Sequence, residues 1–211
     1  MNTPAHVILS CVAVPHPPGW AATSALVAGA LLPDAPMFVF YAVQKTLGRT
    51  ERQIWSEDPD SLGLYFSDHW QLFFDVFNSL PLAALALAAC WGLRQHGVAG
   101  AGVWQWGVLC AASAGLHMLC DLPLHNVDAH RHFLPFINWR FISPVSYWDP
   151  QHYGRWTLPA ELLLTIAGAL YLAWPGQPGP SRIIGAATLT IYALLACGAV
   201  VFLLSRVIGN N

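Results

Sequence analysis

The sequence predicts an all-α integral membrane protein: a polytopic transmembrane helical bundle with a polar cap at one membrane interface. Hydrophobic residues make up 55% of the 211 residues and charged residues only 9%, against roughly 25% charged in soluble domains. Four apolar runs are long enough to cross a bilayer, and most charged residues fall in two segments between runs. The formal net charge of −2 predicts no nucleic-acid partner, because such partners select strongly basic surfaces.

Prolines divide the N-terminal region into short pieces. A run from His6 to Val14 stops at Pro15–Gly19, and a second run from Trp20 to Leu32 stops at Pro33. A third run, Met37 to Val43, follows. Because proline interrupts helices, the pattern predicts an N-terminal pair of short helices and then a turn or two near the interface.

The four long runs predict membrane helices over residues 70–95, 101–122, 158–174 and 182–207. Polar segments 44–69 and 123–157 lie between runs. We expect residues 1–211 to form a single integral membrane domain in which the aromatic-rich segment 123–157 is the cap.

The predicted topology places the N-terminus and both polar segments on one membrane face. That face carries more of the basic residues than the other, which predicts that it is cytoplasmic. The basic residues assigned to it are Lys45, Arg49, Arg52, Arg131, Arg140, Arg155 and Arg206, whereas Arg94 and Arg182 fall on the opposite face.

Histidine is common for so apolar a chain, with nine residues against nine Lys and Arg combined. The strongest local signal is His117 with Asp121 at the end of a predicted membrane helix. Positions i and i+4 share a helix face, so an imidazole and a carboxylate are within reach of one divalent ion. The alternative is a hydrogen-bonded pair that stabilises the helix end.

Two further candidate ligands come earlier in the chain. Asp34 follows Pro33 and is either a ligand or the N-cap of the next helix. His6 lies in an otherwise apolar run, where a lone histidine is often a satisfied interior residue. The predicted topology places Asp34 and His6 at the same membrane face as His117 and Asp121, which favours one shared site.

A polar stripe opens the next membrane helix. Asp68, Gln71, Asp75 and Asn78 recur at helical spacing among aromatic residues, so they are expected to point into the bundle. His69 lies beside the stripe. The pattern fits a site in which Asp75, His69 and Asn78 take part in catalysis, and it fits a polar seam between packed helices equally well.

The 123–157 segment mixes histidine, aspartate and arginine with aromatic residues. We expect His125, Arg131 and Arg140 to bind an anionic group of the substrate, and a second metal is the other functional role for this segment. The alternative is a cap packed by Trp and Tyr, whose amphipathic rings settle at membrane interfaces.

The order of these motifs resembles bacterial inner-membrane proteins grouped as membrane-bound metal-dependent hydrolases. The resemblance covers roughly residues 1 to 125. That family is in turn similar in motif order to the zinc-dependent phospholipase C and nuclease fold, a helical bundle that binds zinc through His and Asp. The motifs that carry it are His6, Leu31 to Asp34, Asn78-Ser79-Leu80, and His117 with Asp121.

The resemblance implies a divalent metal, zinc, as one or two ions, in a multi-pass protein of the bacterial inner membrane. The implied ligands are His6, Asp34, His117 and Asp121. One position departs from the family pattern, because Asn78 stands where the family usually has histidine. Either His69 or Asp75 supplies the missing ligand, or the metal is held more weakly, or this branch has lost catalysis.

The expected function is metal-dependent hydrolysis at the cytoplasmic interface. The ion would activate water and polarise a phosphoryl or acyl oxygen. Because the site is expected at headgroup depth, the expected substrate is a phosphoester or other lipid-borne molecule, with membrane lipid as the partner. The alternative is a non-catalytic scaffold or small transporter with an internal polar network.

Overall fold

A computed structural model confirms the all-α fold class. It describes residues 1–13, 19–98 and 100–209, and within these ranges the chain forms nine α-helices and no β-strand. The predicted link at residues 15–18 and the side chain of Arg206 lie outside the described part of the chain. The helices are α1 (Thr3–Ala13), α2 (Trp20–Leu31), α3 (Ala35–Thr46), α4 (Glu51–Trp55), α5 (Asp68–Phe77), α6 (Leu80–Gln95), α7 (Ala101–Asp121), α8 (Gly154–Ala173) and α9 (Gly179–Gly209).

Four helical segments are long and apolar enough to cross a membrane. They are Asp68–Gln95, which joins α5 to α6, then Ala101–Asp121, Gly154–Ala173, and Gly179–Ala199 within α9. Large apolar side chains on these segments are exposed, among them those of Leu85, Leu163 and Leu194. Because exposed apolar surface of this extent is stable in lipid rather than in water, the chain is a multi-pass membrane protein.

The helix predicted over residues 70–95 is interrupted at Asn78 and Ser79. Pro81 lies in the first turn of α6, where its missing N–H costs nothing, and the Ser79 side chain caps that helix. The break leaves backbone groups without partners inside the helix, and the cap segment 123–157 contacts them. The Leu80 N–H donates to the carbonyl of His132 (2.9 Å), and His132 Nδ1 lies 2.9 Å from the carbonyl of Asn78.

The region around Pro33 is also more helical than the sequence predicts. Instead of a turn or two over Met37 to Val43, α3 runs from Ala35 to Thr46, with Pro36 in its first turn. The axes of α2 and α3 differ by 61°, and together they qualify as one broken span or a re-entrant loop. The bend puts Asp34 at a helix junction.

Helix α1 packs against α2, α7 and α8, and α2 packs along α7. The buried core between these helices includes Ile8, Leu26, Leu109 and Leu172. Gly29 allows the close approach of α2 to α7, because a Cβ atom there would lie 2.1 Å from the carbonyl oxygen of Cys110. This packing brings the start of α1, the end of α2 and the end of α7 together.

A second, aromatic core lies between α3, α4 and α5. Phe40, Ile54, Tyr65 and Phe74 are buried in it, and the Phe40 ring lies 4.8 Å from that of Trp70. This cluster supplies much of the wall of the cavity described below.

Candidate metal centre

Two helices bring histidine and aspartate side chains to one buried point. His6 comes from α1, and His117 and Asp121 come from the end of α7. One ligand atom from each of these residues lies within 4.8 Å of the other two, and each residue is at most 3% exposed. Asp34, at the α2–α3 junction, approaches the same group. The structure therefore brings together the four residues that the resemblance implied as ligands.

The atoms that face one another are imidazole nitrogens and carboxylate oxygens. His6 Nε2 lies 2.9 Å from Asp121 Oδ1, and His117 Nε2 lies 3.0 Å from Asp121 Oδ2. Asp34 Oδ1 is 3.5 Å from His117 Nε2. Neither Nε2 atom has an aligned hydrogen-bond partner, although both lie within ion-pair distance of Asp121.

These separations fit ligands of one ion. With bonds of about 2.0 to 2.1 Å, neighbouring ligand atoms around a tetrahedral zinc lie roughly 3.3 Å apart. Buried nitrogens without hydrogen bonds are costly, and a metal ion would satisfy both Nε2 atoms at once. The donor set of two imidazoles with one or two carboxylates suits zinc.

The orientation of His117 is set from outside the cluster. Its Nδ1 lies 2.7 Å from the carbonyl oxygen of Ala30, an acceptor that holds the proton on Nδ1 and leaves the Nε2 lone pair facing the carboxylates. The His6 ring stacks on it, with centroids 3.6 Å apart and planes at 13°. Two protonated rings would repel each other in this arrangement, so the stacking disfavours a charge on both imidazoles at once.

Asp34 stands at the N-cap position of α3, but its side chain makes no capping hydrogen bond. It instead accepts a hydrogen bond from Thr3 Oγ1 and faces His117. Asp34 therefore does not cap α3 through its side chain. The amino group of Met1 also contacts Asp121.

His125 approaches the cluster from the cap segment. Its Nδ1 lies 2.9 Å from Asp128 Oδ2 and its Nε2 lies 3.5 Å from Asp121 Oδ1. Burial lowers the pKa of His125, but the Asp121 and Asp128 carboxylates outweigh that effect and raise it to about 9. The same partnership with His125 outweighs burial for Asp128 and lowers its pKa to about 2.

A cavity of about 450 Å³ adjoins this cluster. Asp34, Asn78, His125 and His130 supply polar groups to its lining. Aromatic and apolar side chains form much of the rest, including those of Met37, Phe38, Phe66 and Phe74. The described lining contains no lysine or arginine.

Arg131 and Arg140, expected to bind substrate, are not part of that lining. Both instead bond Asp75, which is fully buried. Arg131 Nε contacts Asp75 Oδ2, Arg140 Nη2 lies 3.5 Å from the same oxygen, and His130 Nδ1 lies 3.1 Å from Oδ1. A carboxylate held by two guanidinium groups is a poor base, so Asp75 is placed to fix the cap on α5.

Of the other two residues expected in catalysis, Asn78 lies at the cavity and His69 lies on the surface. Asn78 is buried and lines the cavity, and its Nδ2 donates to the carbonyls of Pro33 (3.2 Å) and Phe74 (3.1 Å). His69 is exposed on α5 beside Trp70 and is not brought to the cluster. Neither His69 nor Asp75 is therefore positioned as the additional ligand expected to compensate for Asn78.

Several residues of the site were missed by the sequence interpretation. Asp128 follows His125 at the i, i+3 spacing, a signal that could have identified the pair. Thr3 and the Ala30 carbonyl carry no recognisable signal, because their contacts depend on how α1, α2 and α7 pack. His130 was noted only as part of a histidine-rich segment.

The fold and the cluster define a multi-pass membrane protein with a buried histidine–carboxylate centre below an aromatic-walled cavity. Comparisons with protein families, curated proteins and solved structures find no match to this chain.

Replacing Asp75 with Asn is expected to loosen the cap. The change leaves two arginines and a histidine around an uncharged amide, and breaking a buried ion pair costs roughly 3 kcal/mol. Thermal unfolding in detergent should shift to lower temperature, and trypsin should cleave within residues 123–157 more readily. Asp68→Asn, on the exposed first turn of the same helix, is the control and should leave both unchanged. Equal behaviour of the two variants would contradict the anchoring role.

Proposed function

We propose that this chain is a membrane-embedded metal-dependent hydrolase that acts on a phosphoester or other lipid-borne substrate. The observation that carries the proposal is the pair of buried Nε2 atoms of His6 and His117. Together with Asp121 they lie close enough to share one ion, and Asp34 approaches His117 at 3.5 Å. Neither Nε2 atom has an aligned hydrogen-bond partner.

In this proposal His6, His117, Asp34 and Asp121 hold one divalent ion, with zinc the best match to the donors. When bound, the ion would supply Lewis acidity to activate water and to polarise a phosphoryl or acyl oxygen. The Ala30 carbonyl orients His117 and Thr3 orients Asp34, so both ligands are held in place before the ion binds.

The cavity supports a lipid-borne substrate. Its aromatic and apolar wall would receive an acyl chain or glyceride portion, while Asn78 and His130 would contact the polar part near the ion. Phe38 and Val39, on neighbouring positions of α3, are largely exposed, so the cavity lies beside a lipid-compatible surface. With no arginine or lysine in the described lining, the ion and the histidines would carry the recognition of a negative group.

A non-catalytic scaffold or a small transporter is the alternative function. A scaffold would be expected to pair each imidazole with a carboxylate through an aligned hydrogen bond, and the geometry of His6 and His117 does not do so. The presence of a substrate-sized cavity beside the cluster also favours a reaction over a structural role.

Purified protein is expected to contain a stoichiometric divalent metal that chelation removes. His117→Gln should abolish the metal, because it deletes the nitrogen that faces both carboxylates, whereas His69→Gln, on the exposed face of α5, should retain it. Metal analysis of the detergent-solubilised protein measures this directly.

Stabilisation by the metal against heat should fade below about pH 6, as ligand histidines take up protons.

The hydrolase assignment needs turnover as well as metal. Incubation with a bacterial lipid extract should release a water-soluble phosphoester or a fatty acid, detected by mass spectrometry, and His117→Gln should not release it. Stoichiometric metal without turnover on any lipid class would favour the scaffold, and metal-free protein under every condition would refute the metal centre.

We also propose that the chain lies in a bacterial inner membrane with the centre facing the cytoplasm, as the distribution of basic residues favours. In a variant without native cysteines, His96→Cys at the end of α6 should react with an impermeant thiol reagent in intact cells. Asp60→Cys, exposed in the polar segment before the same span, should react only after lysis. The reverse pattern would overturn the orientation.

A further inference from the structure

His125 stands between the buried cluster and the cavity. It follows α7 by one turn's spacing from Asp121, is 8% exposed, and contributes to the cavity lining. Its Nε2 is 3.5 Å from Asp121 Oδ1, the same oxygen that lies 2.9 Å from His6 Nε2. Two imidazoles thus approach one carboxylate oxygen from different elements of the fold.

The surroundings of His125 repeat those of His117. In each ring Nδ1 is taken by an oxygen outside the cluster, Ala30 O for His117 (2.7 Å) and Asp128 Oδ2 for His125 (2.9 Å). In each ring Nε2 faces Asp121. Metal-ligating histidines almost always give their second nitrogen to such an oxygen, which orients the ring and raises its basicity.

Asp128 is itself held in place by the cap. It accepts hydrogen bonds from Trp148 Nε1 (3.0 Å) and from the backbone N–H of Asn126 (3.2 Å). The backbone of His125 is fixed as well, because its carbonyl accepts from the Ser143 N–H (3.0 Å). The His125 ring is therefore positioned by the 123–157 segment rather than by a membrane helix.

A second histidine of the cap shows what is specific about His125. His152 also lies three residues from an aspartate, Asp149, although here the aspartate comes first; its Nδ1 is 2.6 Å from Asp149 Oδ2. Its side chain is 36% exposed, however, and the structure gives it no contact with Asp121. The pairing with aspartate is shared, and only the approach to Asp121 distinguishes His125.

We propose that His125 is a further ligand of the metal, contributed by the cap, and that Asp128 is its positioning residue. This inference rests on the proposed metal centre. It assigns to the metal a role in holding the cap over the cavity, since the ion would link helices α1 and α7 to the 123–157 segment.

The test compares metal affinity in three full-length variants purified in detergent. Zinc dissociation constants from competition with a chromophoric chelator should rise by about 10- to 100-fold in Asp128→Asn, the usual effect of removing such an orienting group. The rise in His125→Gln should be at least as large, and His152→Gln should bind like the unmodified protein. Adding Asp128→Asn to the His125→Gln variant should raise the zinc dissociation constant little further, because Asp128 acts through His125.

Zinc-edge X-ray absorption on the unmodified protein gives a readout that needs no variant. Three imidazoles in the zinc coordination shell are expected, falling to two in His125→Gln and staying at three in His152→Gln. Two imidazoles in the unmodified protein, or equal affinities for His125→Gln and His152→Gln, would overturn the role of His125 while leaving the centre intact. Protein that binds no zinc at all would refute the centre itself.

Discussion

The Asp121 carboxylate is the group on which the rest of the site depends. A buried carboxylate at the end of a membrane helix is costly unless positive charge or hydrogen-bond donors surround it. Here His6 and His117 approach its two oxygens without aligned hydrogen bonds, and His125 approaches from the cap. A divalent ion at their centre would satisfy all of these groups together.

The fold makes this convergence possible through helix breaks. Pro33 and Pro36 end α2 and start α3 around Asp34, and Pro81 restarts the helix after Asn78. Each break exposes backbone groups inside the protein, and a histidine ring lies against one carbonyl from each break. The Ala30 carbonyl in the last turn of α2 orients His117, while the Asn78 carbonyl faces the His132 ring. Burial lowers the pKa of His132 to about 4, which keeps that ring neutral and able to donate.

Much of this arrangement could be predicted from the sequence. The apolar runs identified the four membrane segments, since length and composition alone decide that property. His117 and Asp121 were predicted to share a face from helical spacing, and the order of the runs placed His6 and Asp34 at the same membrane face.

Other features depend on tertiary contacts that no local pattern encodes. Arg131 and Arg140 looked like substrate residues because their charge is conspicuous, yet they neutralise Asp75, some 60 positions away in sequence. His69 lies next to the buried stripe in sequence but points to the surface, since one step along a helix turns a side chain by about 100°. The approach of His125 to Asp121 becomes visible only when the cap is seen folded against the end of α7.

The most direct test of the central claim is a crystal structure of the zinc-loaded protein with anomalous diffraction at the zinc edge. One strong peak is predicted about 2.0 to 2.2 Å from the Nε2 atoms of His6 and His117 and from an Asp121 oxygen. A zinc-loaded crystal with no peak there, and with both imidazoles hydrogen-bonded directly to Asp121 and Asp34, would contradict the account.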